Sequence, residues 1–320
     1  MTTAADVSAD ISVVICTYNR GAMLWDTLES WSTVDRDQIN VQLVVIDNAC
    51  TDDTASEVKR FQEQFDGWVD YVYEGNPGLS NARNRGFEEA KGDIVAFVDD
   101  DIYFHTDWLQ AVMAAFRSHP EFDAMGGKSI PVFEVDKPEW LTQDMNVYYG
   151  STMSGDETRE MSYPEHPFGV NMAFRRHVFE TVGGFRADLG RVGTSLLSNE
   201  EKEYFYRVAQ ADFRVLYVSD AVLDHRVPEE RLQKEWLKSR AYWQGISNVV
   251  FDRHVGEQSW GSILKACVQA GKRMLIGSGN HSPGSMYRYI TTEDLPTLLQ
   301  RRYNSGIFKQ SARQLFSSGG

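Results

Sequence analysis

The sequence predicts an α/β protein with a doubly wound, mostly parallel sheet and a helical C-terminal extension. Three observations predict it. Short apolar runs at 11–15, 41–46, 69–73 and 94–98 start roughly 25–30 residues apart, the repeat of βαβ units. Polar residues and glycines collect after the carboxyl end of every run, the edge of an open α/β sheet where ligands bind. After Pro228 the strand-like runs stop and the pattern becomes helical.

In chain order, 11–15 is a strand, followed by Cys16-Thr17-Tyr18-Asn19-Arg20-Gly21 and a helix over 23–31. The strand at 41–46 ends in Asp47-Asn48, and Thr51 or Asp52 can cap a helix over 53–65. A third strand at 69–73 leads through Gly75-Asn76-Pro77-Gly78 to a helix over 80–91. The fourth, 94–98, is apolar throughout and reads as buried on both faces. It runs into Asp99-Asp100-Asp101. Three carboxylates there repel one another, and a divalent cation with hard oxygen ligands, Mg²⁺ or Mn²⁺, makes the arrangement tolerable. Alternate residues of an extended segment point the same way, so Asp99 and Asp101 can face one ligand together. A solvated acidic turn is the other reading of these residues.

Next comes an amphipathic helix over 106–118, with Trp108, Leu109, Val112, Met113 and Phe116 inward. A strand over 123–133 is interrupted by Gly126-Gly127, and 134–168 is irregular but rich in aromatics, as in a binding loop. A short strand at 169–176 enters a helix over 177–182 that stops at Gly183-Gly184. Leu189-Gly190-Arg191-Val192-Gly193 is a loop, and Asn199-Glu200-Glu201 opens a helix over 202–210. Strands at 214–218 and 221–225 follow, then helices near 229–252 and 261–276, a breaker at 283–285 and a weak tail.

Net charge is −14, unevenly placed: 1–228 carries −20 and 229–320 carries +6. An acidic body argues against nucleic-acid binding. The basic extension suits an anionic lipid surface, a solvated tail, or one folded back on the body. Along the second extension helix Ile263, Leu264, Cys267, Ala270, Gly271, Met274 and Leu275 share a face beside Lys265, Lys272 and Arg273. That face can lie on a membrane, pack on the main domain or form a homodimer contact. No apolar run reaches eighteen residues. No signal segment opens the chain, and three cysteines fit a reducing compartment. The expected location is the cytoplasm, with peripheral contact at the inner face of the membrane left open. Cys16 and Cys50 are expected as small buried thiols at the ends of neighbouring strands.

The motifs taken together resemble family 2 glycosyltransferases of the GT-A fold. Val13 to Arg20 resembles that family's opening strand and loop, Asp47-Asn48-Ala49-Cys50-Thr51-Asp52 its second signature, and Gly78 to Gly86 its third. Asp99-Asp100-Asp101 resembles its Asp-x-Asp metal motif, and Gly183-Gly184-Phe185, Asn199-Glu200-Glu201 and Ala221 to His225 complete the series in order. The resemblance leaves 255–320 uncovered. It implies a GT-A catalytic domain over 1–228, with a nucleotide-binding half at about 11–101 and an acceptor half at about 102–228, and a helical extension over 229–320. It implies that Thr17, Tyr18, Asn19 and Arg20 line the nucleotide pocket with Asn48. Asp47 would accept N3–H of a uracil-type base. Arg83 would lie near the base or diphosphate, with Asp99 and Asp100 among the nucleotide-binding residues. Asp101, with Asp99 and His225, would hold Mn²⁺ or Mg²⁺.

The resemblance further implies an inverting transfer of one sugar from a nucleoside-diphosphate sugar, a UDP-sugar by the Asp47 reading, to an acceptor hydroxyl. The acceptor would be a glycan, a lipid-linked or a small molecule, in extracellular polysaccharide, lipopolysaccharide or other glycan biosynthesis. Glu201 would be the base, with Glu200 beside it; the family's pair ends in Asp where this one ends in Glu. The Gln-x-x-Arg-Trp motif of processive members is absent, since Gln233-Lys234-Glu235-Trp236 does not supply it. Rival readings are an aspartyl phosphotransferase, which lacks a downstream Ser/Thr and Lys signature, and a nucleotidyltransferase, which lacks a glycine-rich first loop. A non-catalytic sugar- or nucleotide-binding scaffold of the same fold is the remaining alternative.

Overall fold

The computed structural model describes residues 8–152, 154–256, 260–276 and 295–317. The expected breaker at 283–285 lies outside them.

The first half is a run of βαβ units: β1 (Ala9–Thr17), α1 (Gly21–Trp31), β2 (Val41–Asp47), α2 (Thr54–Gln64), β3 (Trp68–Tyr73), α3 (Leu79–Glu89) and β4 (Gly92–Asp99). Their strands pair in parallel in the order β3-β2-β1-β4. The second half adds β5 (Ile102–Phe104), α4 (Trp108–Ser118), β6 (Ala124–Phe133), β7 (Arg159–Met161), β8 (Asn171–Arg175), α5 (Arg176–Val182), α6 (Glu200–Gln210) and β9 (Val215–Val227). The sheet continues β4-β8-β6-β9-β5, with β7 also on β9. The longest ladder here, β6 with β9, is parallel; β8, β5 and β7 pair antiparallel.

Alternation along the strands builds two layers, one on each side of the sheet. Ile11, Val13 and Ile15 of β1 pack with Leu24 and Leu28 of α1, Val58 and Phe61 of α2, and Trp108 and Val112 of α4. Val14, Val44 and Phe97 pack with Ala82 of α3, Phe179 of α5, and Tyr204 and Phe205 of α6. Burial on both faces explains why these strands read as near-continuous apolar runs.

The C-terminal helices are α7 (Lys234–His254), α8 (Trp260–Ile276) and α9 (Leu295–Ser317), and a third core joins the irregular segment to α7 and α9, with α8 packed on α9. That core contains Leu141, Met145, Tyr148 and Tyr149 with Leu237, Ala241 and Leu299. Within 134–168, residues Gln143–Tyr149 form a 3₁₀ helix.

Several expectations are corrected. The strands at 214–218 and 221–225 are one strand, β9, because a bulge between Gly127 and Lys128 lets β6 follow it across the gap. The helix from 229 starts as a 3₁₀ turn, Glu229–Leu232, and breaks at an extended Gln233. The weak tail is the 23-residue α9. Gly245 and Gly306 let α7 and α9 touch backbone to backbone, a tertiary reason invisible to periodicity. Asp52 does act at the start of α2, accepting the Thr54 N–H at 3.2 Å, but it also accepts the Gly21 N–H at 2.9 Å and so clamps the starts of α1 and α2 together. Cys16 and Cys50 are half-buried. On α8, Cys267 and Ala270 are buried and Gly271 packs near Phe308, whereas Leu264 is exposed; the side chains of Ile263, Met274 and Leu275 lie outside the described residues. Among those residues no helix is long and apolar enough to cross a membrane.

Candidate active site

A cavity of about 480 Å³ opens at the carboxyl ends of β1 and β4 and is closed by the loop before α6 and by α7. It brings together Thr17, Tyr18, Asn19, Arg20, Asn48, Arg83, Asp99, Asp100, Asp101, Glu200, Glu201 and His225. Of the predicted site residues, Asp47 alone does not line it. Asp47 is buried at the end of β2, where Oδ1 accepts the Cys50 N–H at 2.8 Å and Oδ2 accepts the Tyr71 hydroxyl at 2.6 Å.

The nucleotide-side wall is braced by polar side chains. Asn19 has φ of 52° and its Oδ1 accepts the Thr51 N–H at 2.7 Å, which fixes the loop and leaves Tyr18 42% exposed at the rim. Asn48 accepts the Gly78 N–H at 2.7 Å and donates to the Asn76 carbonyl at 2.8 Å. Asn84, from the third motif, binds the backbone of Phe185 in both directions, at 2.7 and 2.8 Å, joining α3 to the glycine-glycine turn.

Asp99, Asp101 and His225 each offer one ligand atom, and the three lie within 4.8 Å of one another. β5 pairs with β9 and sets Ile102 opposite His225, which explains how residues so far apart in sequence meet. His225 Nδ1 lies 2.6 Å from the Tyr149 carbonyl, an acceptor, so Nδ1 carries the proton; Nε2 faces Asp101 Oδ1 at 3.2 Å. Gly150, with φ of 82°, leaves room for that ring. Asp101 Oδ2 also receives Arg231 at 2.9 Å and Arg20 at 3.1 Å. Arg20 bonds Asp100 Oδ1 as well, at 2.8 Å. Against the penalty of burial, His225 and Arg231 hold Asp101 well below the usual carboxylate range. Asp99 is pushed the other way, by burial and then by the Asp101 charge. Although burial opposes it, Asp101 raises the His225 pKa.

Across the cavity, the buried Arg83 guanidinium holds Glu200 Oε1 at 3.1 Å and Glu201 Oε1 at 3.4 Å, and stands 3.8 Å from Asp99 Oδ1. A side chain at Gly169 would collide with both Arg83 and Glu201, so only glycine fits there. Glu200 is 2% exposed; burial and then Glu201 push it up to about 8. Glu201 is more open, its side chain 20% exposed. Against burial, Arg83 keeps Glu201 below the ordinary glutamate value. The pair is therefore driven apart, Glu200 toward the neutral form and Glu201 toward the charged form.

Sequence reasoning missed Arg191, Arg231, Arg240 and His166, all of which line the cavity. Arg191 carried a signal, since it sits between Gly190 and Gly193 in a loop already singled out. Arg231 and Arg240 lie in a stretch that reads as ordinary helix, where a cation has no mark.

The profile of Glycosyl transferase family 2 matches residues 12–183. The chain is 31% identical over 248 residues to the glucosyl-dolichyl phosphate glucuronosyltransferase of Haloferax volcanii, covering 76% of this chain and 77% of that one. It is 24% identical over 262 residues to the succinoglycan biosynthesis protein ExoM of Rhizobium meliloti, covering 79% and 80%. Among solved structures, it is similar to the Pyrobaculum calidifontis mannosyltransferase PcManGT in complex with GDP-Man and Mn²⁺. That match has a TM-score of 0.55 and 20% identity, over 98% of this chain and 76% of that one. It is also similar to S. aureus TarS in complex with UDP, at TM-score 0.52 and 16% identity, over 97% and 92%. The two structures establish the fold.

Proposed function

The chain belongs to glycosyl transferase family 2, and on that premise we propose that it transfers a single sugar, with inversion, from a nucleoside-diphosphate sugar to a glycan hydroxyl; with Asp47 turned away from the cavity, the expectation of a uracil base loses its support. The observation that carries this reading is the meeting, in one cavity, of Asp99, Asp101 and His225 with the Arg83–Glu200–Glu201 cluster.

The donor set fits a divalent cation. Two carboxylates and an imidazole suit Mn²⁺ or Mg²⁺, and the Tyr149 carbonyl fixes the tautomer that leaves His225 Nε2 free to ligate. When bound, the cation supplies Lewis-acid stabilisation of the leaving diphosphate. Arg20 and Arg231, already held at Asp101, place fixed positive charge where that negative charge develops. Glu201 takes the proton of the attacking hydroxyl. Glu200, kept neutral by burial, spares Glu201 the repulsion of a second charge at the same spot. Arg83 sets the position of both acids. With the base across the cavity from the leaving group, attack is in line and the anomeric centre inverts. Tyr18 and Asn48, which line the cavity, would meet the nucleobase, and Asp47 braces that wall from behind through Cys50 and Tyr71.

The names of the two relatives, one concerned with a dolichyl phosphate-linked sugar and one with succinoglycan biosynthesis, support a glycan or a carrier-linked sugar as acceptor. α8 exposes Leu264 and Val268 beside Lys265 and Lys272, which suits peripheral contact with an anionic membrane.

The test is calorimetry with UDP, dTDP and GDP, each with Mn²⁺ and with EDTA, on wild type and Asp101→Asn. The reading expects binding of one of these nucleotides that needs the metal and is lost in the variant, followed by turnover of its sugar conjugate to a product of opposite anomeric configuration. Folded wild type that binds no nucleotide overturns it.

A further inference from the structure

Five arginines line the cavity, and three of them are paired directly with its acids. Arg20 is paired with Asp100 and Asp101, Arg231 with Asp101, and Arg83 with Glu200 and Glu201. The charge of a nucleoside diphosphate is matched by the divalent cation it brings. Two arginines remain. Among the described residues no carboxylate lies within ion-pairing distance of Arg191 or Arg240, although both line the cavity and the chain as a whole carries −14.

Both are held in place by means other than charge. The Arg191 carbonyl accepts the Leu79 N–H at 2.9 Å, and Gly190 turns the chain there with φ of 88°. Its backbone is thereby anchored to the start of α3 while its side chain is open to the cavity. Arg240, on α7, donates from Nη1 to Ser198 Oγ at 3.3 Å. Ser198 directly precedes Asn199, Glu200 and Glu201, so this wall adjoins the base. Burial and then its neighbours Arg231 and Arg240 lower the Arg191 pKa, against a smaller raising effect of Asp99.

We propose that Arg191 and Arg240 form a subsite for a carboxylate on the transferred sugar, so that the donor is a nucleoside-diphosphate uronic acid. This rests on the glycosyltransferase reading above. The sugar must lie between the diphosphate, held near Asp101, and the base Glu201, which places its ring substituents against the wall that carries these two arginines. Guanidinium groups bind a carboxylate through charge-assisted and bidentate hydrogen bonds, and a neutral hydroxymethyl in its place leaves both cations unpaired. The 31% identical relative is named for glucuronosyl transfer, the same chemistry. The phosphate of a carrier lipid is the other oxyanion these residues could meet. The carboxylate is preferred because the donor sugar must pass this wall in every turnover.

The experiment is calorimetric titration with Mn²⁺ on wild type, Arg191→Gln and Arg240→Gln, each shown to be folded by thermal unfolding. The ligands are the free nucleoside diphosphate that wild type binds, its glucose or mannose conjugate, and the corresponding uronate. Wild type is expected to bind the uronate at least about tenfold more tightly than the neutral sugar. Both variants are expected to lose that preference while binding the free nucleotide nearly as before. Equal loss of free-nucleotide and uronate binding in the variants assigns the arginines to the diphosphate and overturns the proposal. So does a wild type that prefers the neutral sugar, or variants that raise only the KM for a phosphate-bearing acceptor. Wild type that binds no nucleotide fails one step earlier, at the glycosyltransferase reading itself.

Discussion

Replacing Glu200 with Gln should abolish a pH-dependent loss of stability that the wild type carries. In the folded protein the Glu200 carboxyl is pushed up to about 8 from its ordinary 4.5, by burial and then by Glu201. A carboxyl with a raised folded pKa holds a proton that the unfolded chain releases. Between the two values the folded state therefore binds more protons, and unfolding becomes easier as pH rises. The contribution is intact below the unfolded value, declines through the window and is fully lost above about pH 8. From pH 5.5 to pH 8 the loss is roughly 2.5 pH units at about 1.36 kcal/mol each, or about 3 kcal/mol. Glu201 is depressed, so its contribution is already complete at the start of this window and is lost only on acidification; it adds no slope. Gln keeps the shape and remains neutral at all pH. Urea unfolding of wild type and Glu200→Gln at pH 5.5 and pH 8 measures it. The variant should gain about 3 kcal/mol on wild type across that range. Parallel pH dependences would refute the assignment of a neutral Glu200, and with it the division of labour in which Glu201 alone is charged.

Two further outcomes follow from geometry. In Gly150→Ala the new methyl would lie 2.9 Å from His225 Nδ1 at a φ of 82°, displacing the ring from the Tyr149 carbonyl. Mn²⁺ affinity, read by calorimetry or by the metal concentration giving half-maximal activity, should fall about 10- to 100-fold. Asn248→Ala removes the acceptor of Asn199 Nδ2 and Gln244 Nε2 and the donor to Tyr303 Oη. Because Asn199 is the residue from which α6 and its two acids start, kcat should fall about tenfold or more with little change in donor KM; an unchanged kcat would show that this network does not position the base.

The sequence makes the first half of the sheet legible because burial on both faces demands largely apolar strands: 94–98 is unbroken, and 11–15 and 41–46 are interrupted only by Ser12 and Gln42, which bond each other at 2.5 Å. The metal half of the site is legible for the opposite reason: Asp99 and Asp101 have no packing value at the end of β4. Where tertiary contacts decide, the sequence is silent. β5 has three residues, too few to show a period, and exists because β9 pairs with it. Asp47 has the residue type expected of a base-binding group, yet the Cys50 N–H and the Tyr71 hydroxyl engage its carboxylate first. Arg231 reaches Asp101 only because the chain turns at Glu229–Leu232 before entering α7.

The two halves of the site come from distant parts of the chain, and one buried side chain sets their separation. The half proposed to hold the metal stands on β4 and β9; the half proposed to supply the base stands on the first turn of α6. Arg83, from α3, touches both, with Nη1 on Glu200 and Nη2 facing Glu201 and Asp99. Its planar fork fixes two acids and the edge of a third at once, which the single ammonium of a lysine does not reproduce. Phe185 packs beneath it, 5.4 Å from the guanidinium, and Phe185 is itself stacked on Tyr204 of α6 at 4.4 Å. Gly169 gives up a side chain so that backbone can close over the same guanidinium. The third motif and the Gly183-Gly184-Phe185 turn therefore serve one purpose. On the proposed mechanism they hold a cation at the distance that would place the base across the cavity from the leaving group, the geometry inversion requires.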